Sequence, residues 1–444
     1  MSIMLQPVQR VVDLLDPSLN VIHNMDVDAA RRRVASGEGG AVREIDGAFA
    51  LVAVDGVTVR IARSMDRPVR YFLAKRAAGP ALFVADRIDT LHQALRAEGL
   101  ADQFHPSYSR MVPAHHVITL QLVGCPDPDP TYTRFFTPHR DALPADLDEI
   151  GRRYIGALAD EIAKHLRHID RVAAGAPIGV CFSGGVDSGA VLVVAEHVMR
   201  VLGMAPARLK AFTLDLGGPD LEQARRFLAA MGMELYLESI AADSSALDLD
   251  ETLRVVEDYK PLDVECAAVG LLLHRGVRQR YPDWRYLLDG DGGDENLKDY
   301  PIEENPELTI RSVVDNLMLY QEGWGVGRIK HSLTYSGGLS RGYVRSYAPA
   351  RRYGFDDFSP FTRPAVIAVA EGTPFAALTR YDVPTLYSLK GEIVARGVKA
   401  LTGREMPVFP KRRFQHGAVP AGVLQDRVGA SERECRRRFH GFYA

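Results

Sequence analysis

From Asp146 the chain shows a long helical periodicity, LDEIGRRYIGALADEIAKHLRHI, with apolar residues returning every third or fourth position. PIGVCFSGG then reads as a short apolar strand entering a glycine turn, and VDSGAVLVVAEHVMRVLG as a helix closed by glycine. RLKAFTLDL reads as a second strand, DLEQARRFLAAMG as a second helix, MELYLESI as a third strand, and YLL at 286–288 as another. Strands alternating with helices predict an α/β fold built on a doubly wound parallel sheet. Beyond YLLDGDGGDE the chain is expected to be mostly helical, ending in the basic helical tail SERECRRRFH.

Upstream the period changes. GAFALVAVDG, VTVRIARS and VRYFLAKRAAGPALFVAD, within residues 45–85, alternate apolar and polar positions between Asp-Gly and Ala-Gly-Pro breaks. That pattern predicts a hairpin meander in a small β-rich domain. HHVITLQLV continues it, and the prolines of CPDPDPTYTRFFTP argue against any further strand or helix. A linker is therefore placed at about 125–146, between domains at 1–140 and 146–444.

Length and composition narrow the function. A chain of 444 residues is long enough for two or three domains that each bury a core, and 46% hydrophobic with 25% charged residues is ordinary for a water-soluble protein. Fifty-four basic against 57 acidic residues give a net charge of −3, so no global field gathers nucleic acid or an anionic membrane, and the ligand is expected to be small. Cys125, Cys181, Cys266 and Cys435 show no CxxC spacing, which argues against a structural zinc or a disulfide framework and favours a reduced, cytoplasmic setting. No run of about 18 apolar residues reads as a membrane span. The oligomeric state is not encoded; a homodimer is compatible.

The candidate chemistry starts at CFSGGVDSG, residues 181–189, where a strand turns into a helix. Backbone N–H groups and the positive end of the helix dipole converge there, Gly184 and Gly185 let an anion approach, and Ser183 and Ser188 offer hydroxyls. The arrangement suits a phosphate. Asp187 would repel it unless a divalent cation lay between, which implies magnesium. The spacing is not a Walker A loop, since no Lys-Ser/Thr pair follows the second glycine. A second loop, YLLDGDGGDENLKDY at 286–300, crowds Asp289, Asp291, Asp294 and Glu295 between glycines, and charges so close call for compensating cations.

SGGVDS resembles the pyrophosphate loop of the ATP pyrophosphatases, and DGDGGDE, about 100 residues on, resembles the SGEGSDE loop of the asparagine synthetases. In that family the last aspartate of the second loop shares magnesium with the aspartate of the first, which implies Asp294 and Asp187 here. GGPDLEQA at 217–224 looks like the segment following the adenine-contacting strand, putting Leu214 near the base. VVEDYKPLD at 255–263 resembles the helix before the substrate pocket. YGFDDFSPF at 353–361 stands where the family carries WGVEARVPF, and PKRRFQHG at 410–417 where it carries QKEQFSDG. The resemblance makes Lys411 the lysine that stabilises the adenylate and tetrahedral intermediate, and Lys390 in YSLKGEI a second basic contact. Gly290 joins the nucleotide set. Asp291 occupies the position where asparagine synthetases have glutamate and β-lactam synthetases tyrosine, so a carboxylate here resembles the amine-accepting type; Asp356 is a further candidate for the pocket.

IDGAFALVAVDG and RSMDRPVRYFLA resemble segments of the family's glutaminase domain. A working glutaminase needs an N-terminal cysteine nucleophile. This sequence reads Met1-Ser2-Ile3, about 45 residues precede IDGAF, and the first cysteine is Cys125. A degenerate glutaminase-like (Ntn) fold without glutamine hydrolysis is expected. The resemblance thus implies an ATP-pyrophosphatase domain of the adenine nucleotide alpha hydrolase-like class with a helical C-terminal part. Its activity would be ATP- and Mg2+-dependent amide ligation of a small carboxylic acid to ammonia or an amine, with AMP and pyrophosphate released. An intramolecular cyclase of the β-lactam synthetase or lasso-peptide kind and a non-catalytic nucleotide-binding protein are the alternatives.

Overall fold

The computed structural model describes residues 10–123, 129–299, 302–304, 308–316, 343–410, 417–420 and 422–444. They form two compact units: described residues up to Thr137 with His440–Ala444, and described residues from Pro138 to Phe439.

The first unit is two four-stranded sheets facing each other. One has the order β1 (Val11–Asp13), β7 (Ala81–Ala85), β6 (Arg70–Ala74), β8 (Arg110–Met111); the other has β10 (Thr131–Arg134), β9 (His116–Gln121), β5 (Thr58–Arg63), β4 (Ala50–Asp55). Val52, Ile61 and Ile118 from one sheet and Tyr71, Leu82 and Val84 from the other fill the space between. A small ribbon of β2 (Val21–Ile22) and β3 (Gly47–Ala48) accompanies them. Helix α1 (Val27–Ser36), with α2 (Gly39–Arg43) beside it, covers β4 and β5, while α3 (Ile88–Ala97) covers β6 and β7, giving an α-β-β-α layering.

Two expectations are corrected here. Residues 45–85 are not one meander: β4–β5 and β6–β7 are hairpins in different sheets. The chain leaves the first sheet after Arg63, whose buried guanidinium donates to the carbonyls of Ser64 (3.2 Å), Met65 (3.0 Å) and Arg67 (3.3 Å). Those carbonyls are satisfied without a partner strand, so the turn can change sheets. The presumed linker also contains a strand, β10, antiparallel to β9. Three of the four prolines precede it and Pro138 follows, it lies at the sheet edge, and TYTR itself has β-favouring residues.

The second unit carries a five-stranded parallel sheet in the order β13 (Leu237–Ala241), β12 (Leu209–Asp215), β11 (Ile178–Cys181), β14 (Tyr286–Leu288), β15 (Asp356–Phe358). Side-chain alternation builds a core on each face. Ile178, Val180, Tyr286 and Leu288 join one core with α4 (Leu147–Val172), α5 (Val186–Val201) and α6 (Asp220–Met231). Phe212, Leu214 and Leu287 join the other with α8 (Pro261–Arg280). The doubly wound expectation holds. MELYLESI opens with a 3-10 turn, Glu234–Tyr236, before β13. The stretch after residue 295 is not wholly helical, because β15 pairs with β14; three residues are too short to show a period.

VVEDYKPLD is a break between helices. Helix α7 (Leu249–Val256) ends where Glu257 turns to φ 53°, the Asp258 carboxylate accepts the Tyr259 (2.6 Å) and Lys260 (3.1 Å) N–H groups, and Pro261 opens α8. Helix α4 begins at Asp146, whose carboxylate caps the N–H of Asp148 at 2.9 Å, and packs against the helix Val383–Thr402. Gly151 and Gly397 sit at that crossing, where a Cβ on Gly151 would lie 2.6 Å from the Ile393 carbonyl oxygen.

Candidate active site

β11 connects outward to β12 on one side, while β14, its other neighbour, connects to β15 on the opposite side. The crevice beyond the carboxyl ends of β11 and β14 is thus a topological switch point, where open α/β sheets bind ligands. CFSGGVDSG and DGDGGDE meet there.

After β11, Gly184 adopts φ 72°, and a Cβ on it would lie 2.7 Å from the Ala224 backbone nitrogen, so the turn takes glycine. The hydroxyls of Ser183 and Ser188 lie 3.2 Å apart, the Gly185 N–H donates to Ser183 Oγ (3.3 Å), and the Ser188 hydroxyl reaches the Gly185 carbonyl (3.4 Å). Gly185 caps the 16-residue helix α5 with no side-chain hydrogen bond. Helix and loop N–H groups therefore face the crevice, with a dipole that favours anions.

The second loop crosses close over the first. Gly290 passes beside the Ser188 backbone nitrogen, and a side chain on Gly293, first residue of α9 (Gly293–Asn296), would overlap Asp187 Oδ1. Asn296 ties α9 down through the Tyr154 hydroxyl (3.2 Å) and the Phe361 carbonyl (2.9 Å).

The two loops share a cation. Lys390, on the helix Val383–Thr402 and 5% exposed, places its ammonium 2.5 Å from Asp187 Oδ2, against Asp294 Oδ1, and 3.4 Å from Asp299 Oδ2. Burial opposes the Lys390 charge, but the carboxylates of Asp187, Asp294 and Asp299 outweigh it and hold its pKa well above the ordinary value. Burial pushes Asp187 up to about 7 against the pull of Lys390, and the Asp294 charge adds to the rise. Asp187 Oδ1 is buried with no hydrogen-bond partner among the described residues.

Further into the pocket, Asp289 accepts the Asp291 N–H (2.8 Å) and the Ser359 hydroxyl (2.9 Å). Asp291 accepts the Ser346 hydroxyl at 2.5 Å. Burial and then the Asp289 charge raise the Asp291 carboxyl well above its usual range, against the nearby Arg345. Asp357 is raised in the same way, by burial and by Asp289. Arg345 reaches Asp263 at 3.3 Å. Cys181 and His274 stand 3.9 Å apart behind the sheet, but burial raises the thiol well above its ordinary pKa and lowers the imidazole to about 4, so no thiolate-imidazolium pair forms.

The structure thus brings Ser183, Gly184, Gly185, Asp187, Ser188, Gly290, Asp294 and Lys390 to one crevice, with Asp291 beside it. Leu214 lies in the core near the carboxyl end of β12. Asp356 points elsewhere, pairing with Arg285 (2.6 Å) and Arg351 (2.8 Å); its neighbour Asp357 is the one beside Asp289. Lys411 lies outside the described residues, as does Cys125. Asp299, Ser346 and Asp357 escaped the sequence reading. Asp299 was within reach, since it belongs to the quoted DENLKDY.

Among the described residues no group of three or more His, Cys, Asp or Glu is disposed to hold a metal by itself. Magnesium characteristically binds one or two carboxylates and completes its shell with substrate phosphates and water. Asp187 and Asp294 already close on a cation, and Asp187 Oδ1 is left over for another ligand.

A glycine- and hydroxyl-bearing loop at the switch point of a doubly wound parallel sheet, faced by a carboxylate-bearing loop, is an arrangement suited to an anionic ligand. Residues 164–355 match the asparagine synthase family. Lys390 and Lys411 lie beyond the matched segment. The glutamine-hydrolysing asparagine synthetase of Gallus gallus is 24% identical over 271 residues, 58% of this chain and 46% of that protein. A probable glutamine-hydrolysing asparagine synthetase of Acanthamoeba polyphaga mimivirus is 22% identical over 169 residues, 37% of this chain and 28% of its own length. The chain thus spans less than half the length of these relatives. No helix among the described residues is long and apolar enough to cross a membrane.

Proposed function

We propose that this protein is an ATP-dependent amide ligase that forms AMP and pyrophosphate, adenylating a substrate carboxylate and passing the acyl group to ammonia or an amine without hydrolysing glutamine. The observation that carries the reading is the closure of two loops, one built for an anion and one rich in carboxylates, on a shared cation at the switch point. The family match supports it.

A carboxylate is a poor electrophile, and activation supplies a leaving group. The substrate oxygen attacks the α-phosphorus of ATP, its bond to the bridging oxygen breaks, and pyrophosphate leaves. The N–H groups at the start of α5 and the hydroxyls of Ser183 and Ser188 bind the phosphate oxygens. Asp187 and Asp294 would hold magnesium, which neutralises charge on the departing pyrophosphate. Lys390 and Lys411 supply further positive charge, and Leu214 forms part of the wall against the base. The amine then attacks the acyl carbon and AMP leaves. Asp291, held by Ser346, takes the proton from the nitrogen; burial makes it a stronger base than an exposed carboxylate. The first unit is read as a glutaminase-like domain, and the setting as the reduced cytoplasm.

The test is to incubate the full chain with magnesium, ATP and a panel of carboxylic acids, with and without ammonium or hydroxylamine. Pyrophosphate and AMP in equal amounts, dependent on one acid, are expected. Release of ADP and phosphate instead would refute the reading, and product formation without any added amine would convert the ligase into a cyclase.

A further inference from the structure

Lys390 is not an ordinary surface lysine. Its ammonium is buried, and its helix is pinned to α4 by the backbone-to-backbone crossing at Gly151 and Gly397. It touches one carboxylate from each loop, Asp187 and Asp294, with Asp299 as a third partner. These are the carboxylates a divalent ion at this site would use. An ammonium and a divalent ion cannot both sit between the same two carboxylates at full contact, because their charges repel.

We infer that Lys390 is an exchangeable internal counter-cation: it clamps the two loops together through Asp187 and Asp294, and it yields these carboxylates to the divalent ion that arrives with the nucleotide. The exchange has two consequences. The loops stay aligned at all times, since leaving both carboxylates without a cation would drive them apart. A free divalent ion is also a poor ligand by itself, because it must displace a preformed ion pair; it enters together with phosphates that give the displaced ammonium a new partner. The site thereby favours the metal–nucleotide complex over the bare metal. This inference rests on the reading of the crevice as a magnesium–nucleotide site.

The test uses Mn2+ as the probe, with no nucleotide present, and reads free Mn2+ by electron paramagnetic resonance on the full chain. Wild type should bind weakly. Lys390→Met, and Lys390→Gln as a second variant, should bind about tenfold or more tightly, because Asp187 Oδ2 and Asp294 Oδ1 then no longer face an ammonium that the ion must displace. Adding Asp187→Asn to either should abolish the gain. Wild-type melting curves give an answer even if both variants fail to fold: Mg2+ alone should leave the midpoint nearly unchanged, whereas Mg2+ with a non-hydrolysable ATP analogue should raise it. Equal Mn2+ affinity in wild type and variants, or full stabilisation of wild type by Mg2+ alone, would overturn the exchange. Neither readout involves turnover, so a failed adenylation assay leaves this result standing, and the reverse also holds.

Discussion

Asp356 and Asp357 are neighbours on β15, yet they face different surroundings. Asp356 pairs with Arg285 and Arg351, and the Arg285 side chain is 62% exposed. Asp357 is driven toward its protonated form by burial and by Asp289. Asp356→Asn should therefore cost less than about 1 kcal/mol of stability and leave turnover intact, as exposed ion pairs are worth little. Asp291→Asn, which keeps the shape but loses the base, should lower the amine-dependent step by roughly 10²–10⁴-fold with little change in ATP binding. Single-turnover kinetics with preformed acyl-adenylate would measure it; an unchanged rate would remove Asp291 from proton transfer. The difference between Asp356 and Asp357 was not readable in YGFDDFSPF, because a three-residue strand gives no period from which to tell its two faces apart. SGGVDS and DGDGGDE were readable, since glycines, hydroxyls and crowded carboxylates in a turn state their chemistry locally. Lys390 was readable only as a basic contact; its place between two carboxylates depends on a helix crossing more than two hundred residues from Asp187 in sequence.

Elements set how rigidly those side chains are held. The turn at Gly184 combines a positive φ with close backbone approach to α6. Gly184→Ala should cost roughly 1–3 kcal/mol in a urea titration, and a cost near zero would show that the loop relaxes. The break between α7 and α8 makes a pH-dependent prediction. Burial, and then the Asp263 charge, push the Asp258 carboxyl from 3.8 up to about 6, with Lys260 pulling the other way. A folded-state pKa above the unfolded one means the native protein binds the extra proton between these values, so Asp258 destabilises progressively as pH rises from about 4 through about 6. Asp258→Asn retains an oxygen to accept the Tyr259 and Lys260 N–H groups and does not titrate. Its denaturation midpoint should gain on wild type across that window and hold a constant lead above it; a constant difference from pH 4 to 7 would contradict the assignment. Sequence periodicity found α4, the elements from β11 to β13, and β14, because each buries a stripe or a face; it did not predict α7 or α8. It missed β10 and β15, short edge strands whose existence is decided by a neighbour.

At the scale of the whole molecule, strand order makes the site. Loops separated by about a hundred residues meet only because β14 lies beside β11, while β12 and β13 lie on its other side. The sequence implied alternation and hence a parallel sheet, but neighbour order is a property of packing. In the first unit the same limit applied: alternation identified strands, and only the buried Arg63 turn shows why they divide between two sheets. If the ligase takes its nitrogen directly, as proposed, glutamine should not replace ammonium or a substrate amine as the nitrogen source, and glutamate release should stay at background. Glutamate released in step with amide formation would restore a glutaminase role. The central claim is adenylation of a carboxylate, and oxygen transfer tests it most directly. The acid that supports pyrophosphate release would be supplied with 18O in its carboxyl group, and the AMP analysed by mass spectrometry. One 18O per AMP is the result predicted; unlabelled AMP, or label in inorganic phosphate, would contradict it.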